Sequence, residues 1–402
     1  MSQPVKIALV GCGGISRSHF RGYTQIKEQE PSLFDLVAVC DPVRENAERM
    51  AAAVGEWQTP APAIFGDVEA MLSAAKPDGC DICAPHFLQH TLAIACLDGG
   101  ANIMCEKPFG VTVRASQLII EAADRNGRFC ATAEQIRRGP SQRTARWAIQ
   151  DAGLIGEPRM FYAQIVRKPT LAPRDNPGHR TWRNDLNKCG GGPVMDSGAH
   201  FCDTVRYLFG DVETVYGRVH RFNDRWTQTP DGQLLVDEQE DTWIATLNFA
   251  SGLTGVWSLS HALPGHQFNN VAYYGSEGAI VDPGDVFHGP RPTAELHQSD
   301  GTVIPFSELI ERFTAQLDDA ERERLFPHGF TEQSTLKTYD FVRAIADGRP
   351  PEVEGRTGLK AKSIAEAIYE SSLANEVIRV EDVASGRRGE YQRPINEAWG
   401  IE

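Results

Sequence analysis

The stretch VKIALVGCGGISRSHF, residues 5–20, constrains the fold more than any other part of the chain. A short β-rich run ends in G-x-G-x-x-S and passes at once into a helical pattern from Ser16 to about Glu28. Gly11 permits a tight turn directly after the strand. Gly13 lets another group approach the backbone closely, and Ser16 is small enough for helix–strand packing. The helix that follows presents unpaired N–H groups and the positive end of its dipole, a ready seat for phosphate. In this strand–loop–helix context the motif points to a bound dinucleotide.

The next hundred residues repeat the alternation. LVAVCD (36–41), CDICAP (80–85), ANIMCE (101–106) and RFCATA (128–133) read as strands. Helical patterns lie between them, with Asp67 and Thr112 placed to cap two. The strands are apolar almost throughout, which suits a parallel sheet covered on both faces by helices. Beyond Ile136 the strands lengthen and alternate: RMFYAQIVR, TVYGRVHRF, DTWIATLNFA, LTGVWSLSHAL and NVAYYGS. These predict an antiparallel or mixed sheet with one face on helices. The expectation is an α/β protein of two domains, residues 1–135 and 136–402, the length of 402 residues being too great for one ordinary core.

A net charge of −14 argues against a nucleic-acid or anionic-membrane surface. No apolar run approaches the roughly 20 residues of a membrane span, and the N-terminus lacks the pattern of a signal peptide, so a cytoplasmic protein is expected. The nine cysteines are scattered, several inside strand-like runs; Cys80-Asp-Ile-Cys83 reads as a pair of buried strand residues rather than a redox or zinc motif.

Three further motifs carry chemistry. Asp41 ends the second strand, where a carboxylate accepts hydrogen bonds from ribose hydroxyls and repels a 2′-phosphate, so NAD is expected over NADP; Arg44 nearby is the residue that would favour NADP. Lys107, in MCEKPFG (104–110), follows a strand at the sheet's carboxyl edge, where it can stabilise a developing alkoxide or stand as a surface lysine in a turn. In MDSGAHFCDTVRYLFG (195–210), Asp196, His200, Asp203 and Tyr207 share one helical stripe opposite Phe201, Cys202, Val205, Leu208 and Phe209. Spacing alone leaves three readings: a solvated face, a catalytic acid/base pair of His200 with Asp196, or a metal site short of ligands.

The joint order GCGGIS, Asp41, Pro85 with His90, EKP, and GGG-x-x-x-D-x-G-x-H-x-x-D resembles the Gfo/Idh/MocA oxidoreductases, as do GLIGEP, EDTWIATLNFASG and the tail SIAEAIYESSLANEVI. The resemblance implies an N-terminal Rossmann domain with a doubly wound parallel sheet. It also implies a C-terminal α/β domain with a large, mainly antiparallel sheet, which in the family often mediates a homodimer or homotetramer. It implies an NAD site at Gly11, Gly13, Gly14, Ile15, Asp41, Arg44, Pro85, His90, Glu106 and Lys107. Lys107, Asp196 and His200 become the catalytic set, with no metal, and Asp203 a structural or secondary acid. In the loop GHRTWRND, His179, Arg180, Trp182 and Arg183 are candidates to hold a sugar-like substrate or to be structural. In PHGF, Phe330 stands where the resemblance implies a second glycine, a departure from the pattern that would place His328 at the substrate. The implied activity is dehydrogenation of a sugar, glycoside or cyclitol carbinol. An NAD-dependent glycoside hydrolase and a non-catalytic NAD-binding regulator are the alternatives.

Overall fold

A computed structural model describes residues 3–169, 174–175, 181–284 and 286–402. The chain forms two compact units, residues 1–135 with 326–359, and 136–325 with 360–402.

The first unit is a six-stranded parallel sheet with strand order β3-β2-β1-β4-β5-β6. The strands are β1 (Val5–Val10), β2 (Phe34–Cys40), β3 (Ala63–Phe65), β4 (Gly79–Ile82), β5 (Asn102–Cys105) and β6 (Cys130–Thr132). Helices α1 (Ser16–Gln29), α2 (Arg44–Gly55), α3 (Val68–Ala75), α4 (His86–Asp98) and α5 (Val113–Arg125) connect them. Strand order reverses between β1 and β4, which opens a crevice at their carboxyl ends. Asp67 and Thr112 accept from Ala70 N–H (2.8 Å) and Ala115 N–H (3.1 Å), and so start α3 and α5. β3, only three residues of AIF at the sheet edge, is absent from the sequence reading, since so short a run carries no period to detect.

The segment 326–359 differs from the expected division, which gave it to the second domain. Its helix Gln333–Asp347 lies on α1: Ser18 Oγ donates to Ser334 Oγ at 3.0 Å, and Phe341 and Val342 join Ile7 and Tyr23 in one core. Gly22 makes this approach possible, because a Cβ there would stand 3.0 Å from Thr338 Oγ1.

The second unit is built on a nine-stranded mixed sheet. Its strands, in sheet order, are Val303–Pro305, Glu295–Gln298, Gly278–Asp282, Phe268–Gly275, Pro158–Val166, Thr254–Ser260, Thr242–Phe249, Val212–His220 and Ile378–Arg379. Neighbours are antiparallel except Pro158–Val166 with Thr254–Ser260, which are parallel. The helix Gly198–Phe209 lays its apolar stripe on this sheet: Phe201 stacks on Trp257 with ring centroids 4.8 Å apart, and Phe209 on Phe161 at 6.0 Å. The region 282–330 supplies two outer strands of the sheet, Glu295–Gln298 and Val303–Pro305, as well as the helices Phe306–Gln316 and Asp319–Leu325. Among the described residues no helix is long and apolar enough to cross a membrane.

Candidate active site

In the first unit the glycine loop runs from β1 into α1. Gly11 has φ +89, and a Cβ on it would lie 2.5 Å from the Cys83 carbonyl oxygen, so both backbone conformation and packing demand glycine. Gly13 differs: apart from its own and its two neighbouring residues, no described atom lies within 4 Å of the place its Cβ would occupy. The protein itself leaves that space, which fits close approach by a pyrophosphate. Ser16, fully buried, closes the loop by donating to the Gly13 carbonyl at 2.7 Å. α1 has no side-chain cap and no acidic residue in its first turn, so its positive end keeps its field. Gly14 and Ile15 are exposed at its entrance.

Asp41 is 7% exposed and is held by the loop it serves. Its Oδ2 accepts from Cys12 N–H at 2.7 Å and its Oδ1 from Val43 N–H at 2.8 Å. A carboxylate offers about four lone-pair directions, so capacity remains for ribose hydroxyls. Arg44 is exposed and pairs with Glu48 one turn along α2 at 2.6 Å. Pro85 starts α4 at the carboxyl end of β4, and His90 lies further along the same helix. The buried His90 Nδ1 has no hydrogen-bond partner among the described residues, and burial pushes its pKa below the usual histidine value. Open space at Gly13, an orphaned ring nitrogen and an uncapped helix start together fit a dinucleotide.

The Glu106-Lys107-Pro108 turn follows β5 and is pinned on several sides. Gly110 N–H donates to Gln89 Oε1 at 2.8 Å, and Ser116 Oγ donates to the Phe109 carbonyl. Glu106 is buried and faces inward rather than outward. His19 Nε2 lies 2.8 Å from its Oε1, and the Lys337 ammonium lies 3.6 Å from the same atom. His19 Nδ1 meets Asp81 at 2.8 Å, and Tyr23 donates to Asp81 at 3.0 Å. Burial alone would raise the Glu106 pKa; the His19 hydrogen bond and the Lys337 charge outweigh it and hold it at about 2. His19, Asp81 and Cys83 are close enough to ligate a cation, but the Lys337 ammonium, 2.7 Å from His19 Nε2, already fills the role of positive charge. The cluster fixes the backbone that carries Lys107, whose side chain is half-buried.

In the second unit, Gly190-Gly191-Gly192 leads to the polar stripe. Glu240, a buried carboxylate, accepts from Gly192 N–H at 3.0 Å and Val194 N–H at 2.9 Å, and Tyr369 donates to it at 2.9 Å. A Cβ on Gly191 would meet Tyr369 Oη at 2.6 Å, and one on Gly192 would meet Glu240 at 2.5 Å, so the glycines admit this anchor. Asp196 lies in the turn before the helix, not on it, since the helix begins at Gly198. It pairs with Arg183, whose guanidinium stands 4.6 Å from the Trp182 ring. His200 is 5% exposed and Asp203 2%, so this stripe is no solvated face. Asp203 is taken by Arg137 in a bidentate pair of 2.6 and 2.5 Å, and the same guanidinium covers the Tyr207 ring at 4.9 Å. Arg137, Glu240 and Tyr369 have no spacing relation to the stripe and were not readable from sequence.

His288 was also missed. Its ring centroid is 5.6 Å from that of His200. His328 belongs to the first unit, where it pairs with Glu30 at 2.7 Å. His179 and Arg180 lie outside the described residues.

Residues 5–134 match the family model described as an oxidoreductase family with an NAD-binding Rossmann fold. Residues 143–281 match that of the GFO/IDH/MocA C-terminal domain. The chain is similar to D-glucoside 3-dehydrogenase of Escherichia coli (strain K12), 26% identical over 294 residues, 71% of this chain and 79% of the relative. It is similar to the NADP(+)-named D-xylose 1-dehydrogenase of Haloarcula marismortui, 23% identical over 386 residues and 94% of each chain. Among solved structures, levoglucosan dehydrogenase in complex with NADH and levoglucosan shares the fold, with a TM-score of 0.74 at 22% identity, over 94% of this chain and 100% of that one.

Proposed function

Because the chain belongs to the Gfo/Idh/MocA family of oxidoreductases, we propose that it is an NAD-dependent dehydrogenase acting on a carbinol of a sugar, glycoside or cyclitol. The observation that carries the reading is His200: an imidazole 5% exposed on a helix whose Asp203 is bonded to Arg137 and whose Tyr207 ring lies under the same guanidinium. The named activities of the relatives support the substrate class. NAD over NADP rests on Asp41, whose charge opposes a 2′-phosphate while Arg44 is paired to Glu48.

When bound, an oxidised nicotinamide supplies the two-electron acceptor. The α1 N-terminus and the space at Gly13 seat the pyrophosphate, and Asp41 takes the ribose hydroxyls. His200 accepts the substrate hydroxyl proton. Asp196 offsets the imidazolium charge so formed and is itself held by Arg183. Lys107, on its pinned turn, offsets the alkoxide charge and holds the reacting oxygen.

The test is a panel of sugars, glycosides and cyclitols with NAD and NADP, followed by nicotinamide absorbance. His200→Ala is expected to lower kcat by about 10²–10⁴-fold, the usual worth of a general base, with NADH binding retained. Full turnover by that variant would remove His200 from the mechanism.

A further inference from the structure

The turn that carries Asp196 hangs from a single carboxylate. Glu240 stands just before the strand Thr242–Phe249 and is fixed there through backbone: the Arg225 guanidinium donates to its carbonyl at 3.0 Å, and Asp241 N–H donates to the His220 carbonyl at 3.0 Å. Its side chain reaches the segment Gly192-Pro193-Val194. Pro193 has no N–H, and Glu240 takes the amides on both sides of it, Gly192 on Oε2 and Val194 on Oε1. From there the bonds continue through backbone alone. The Gly192 carbonyl accepts from Met195 N–H at 3.0 Å and from Asp196 N–H at 2.9 Å. The Pro193 carbonyl accepts at 2.8 Å from the N–H of Gly198, the first residue of the helix that bears His200. A shift of Gly192 therefore moves Asp196, and a shift of Pro193 moves the start of that helix.

Glutamate is an expensive choice here. All three hydrogen bonds to its carboxylate come from neutral groups, Tyr369 O–H being the third. A buried carboxylate answered by neutral donors keeps much of its desolvation penalty. Glutamine would avoid that penalty, but its amide accepts with one oxygen and would set an NH2 against one of the two N–H groups. What glutamate adds is two acceptors at one fixed spacing, for two amides of one turn. The wall behind is built to hold the grip. Tyr369 stacks on Tyr391 with ring centroids 4.5 Å and planes 6° apart. From the same helix, Gly355–Ala374, the buried Lys362 ammonium comes within 3.3 Å of Met195 Sδ. Past Met195 the chain comes toward the surface, where Asp196 and Ser197 are half-buried.

We infer that Glu240 is a positioning residue for the reaction: by taking both amides of the turn it sets where Asp196 stands and where the helix of His200 begins. This rests on the dehydrogenase reading above.

The experiment measures kcat on the best substrate of the panel, NADH affinity, and amide hydrogen exchange of residues 190–197 by mass spectrometry. Glu240→Gln is expected to lower kcat by about 10- to 100-fold, the order that a misplacement near 1 Å costs, with NADH affinity unchanged and exchange at 190–197 faster. Ser371→Ala is the comparison. It removes a buried hydroxyl from the helix that bears Tyr369, one that accepts from Gly217 N–H at 2.9 Å and donates to the Glu376 carbonyl at 2.6 Å. That variant is expected to lose stability in urea and to keep its kcat. If Glu240→Gln does not fold, Glu240→Asp takes its place: it keeps the charge and both acceptors but draws them back by one methylene. Its expected loss in kcat is about 3- to 10-fold, with the same faster exchange. A folded Glu240 variant with wild-type kcat, or with wild-type exchange at 190–197, overturns the inference. So does a Ser371→Ala protein that loses as much kcat as the Glu240 variant. In these cases the wild type still turns over, and the dehydrogenase reading stands. A wild type that binds NADH and oxidises nothing in the panel overturns both.

Discussion

Asp41 serves the fold and the cofactor with one side chain. Its two bonds to Cys12 N–H and Val43 N–H tie the glycine loop to the end of β2, and its remaining lone pairs and its charge face whatever the loop binds. Asp41→Ser is expected to raise the KM for NAD about 10-fold and to raise the NADP-to-NAD preference. It should also lower stability by about 1 kcal/mol through the weakened backbone bonds. Kinetics with both cofactors and a urea titration measure this; an unchanged cofactor preference would free Asp41 of the discriminating role. Residues of this kind are legible in sequence because neighbours along the chain define them: a glycine directly after a strand, a carboxylate at a strand end. Glu240, Tyr369, Arg137 and His288 are not. Each meets its partner across many intervening residues, and nothing in spacing announces a buried carboxylate that needs three donors. His288 had one faint signal, the dipeptide His-Gly in a loop, but the same dipeptide at His328 belongs to an ion pair with Glu30.

The helix Gly198–Phe209 is held from both sides by different physics. Its apolar side packs on the sheet through Phe201 and Phe209. Its polar side is held by the Arg137–Asp203 pair, with side chains 11% and 2% exposed. Removing one partner of a buried pair strands the other charge. Arg137→Ala is therefore expected to lower unfolding stability by about 3–5 kcal/mol, and Arg137→Met with Asp203→Leu to restore most of it. A loss below about 1 kcal/mol for the single variant would show that water reaches Asp203. The apolar stripe and its helix were readable, since period 3.6 survives any tertiary arrangement. Where the helix begins was not: Asp196 fits the spacing of the stripe yet sits in a turn set by Glu240 and the three glycines. The short strands Ala63–Phe65, Val303–Pro305 and Ile378–Arg379 escaped for a related reason. Two or three residues become a strand only because an existing edge offers them hydrogen bonds.

At the scale of the whole chain, the first unit is not contiguous, because residues 326–359 return to complete it. That return brings Lys337, 2.7 Å from His19 and 3.6 Å from Glu106, into the buried cluster behind Lys107. A fragment of residues 1–135 keeps every strand of the six-stranded sheet but loses this ammonium and the apolar cover of Phe341 and Val342. It is expected to show no cooperative urea transition, whereas the same fragment joined by a Gly/Ser linker to residues 326–359 is expected to unfold cooperatively and to bind NADH. Cooperative unfolding of the short fragment would mean that the return helix is only decoration. The sequence reading missed the return because an amphipathic helix states which face it buries, not which sheet receives it. The same discontinuity sets an order of events on the ribosome. The nascent chain emits all six strands of its nucleotide-binding sheet, then must synthesise the whole stretch to residue 325 before the cluster's missing cation emerges. At usual elongation rates that delay is on the order of tens of seconds. During it the Glu106 carboxylate has no ammonium to meet, and the earliest-made part of the protein is among the last to become resistant to proteases.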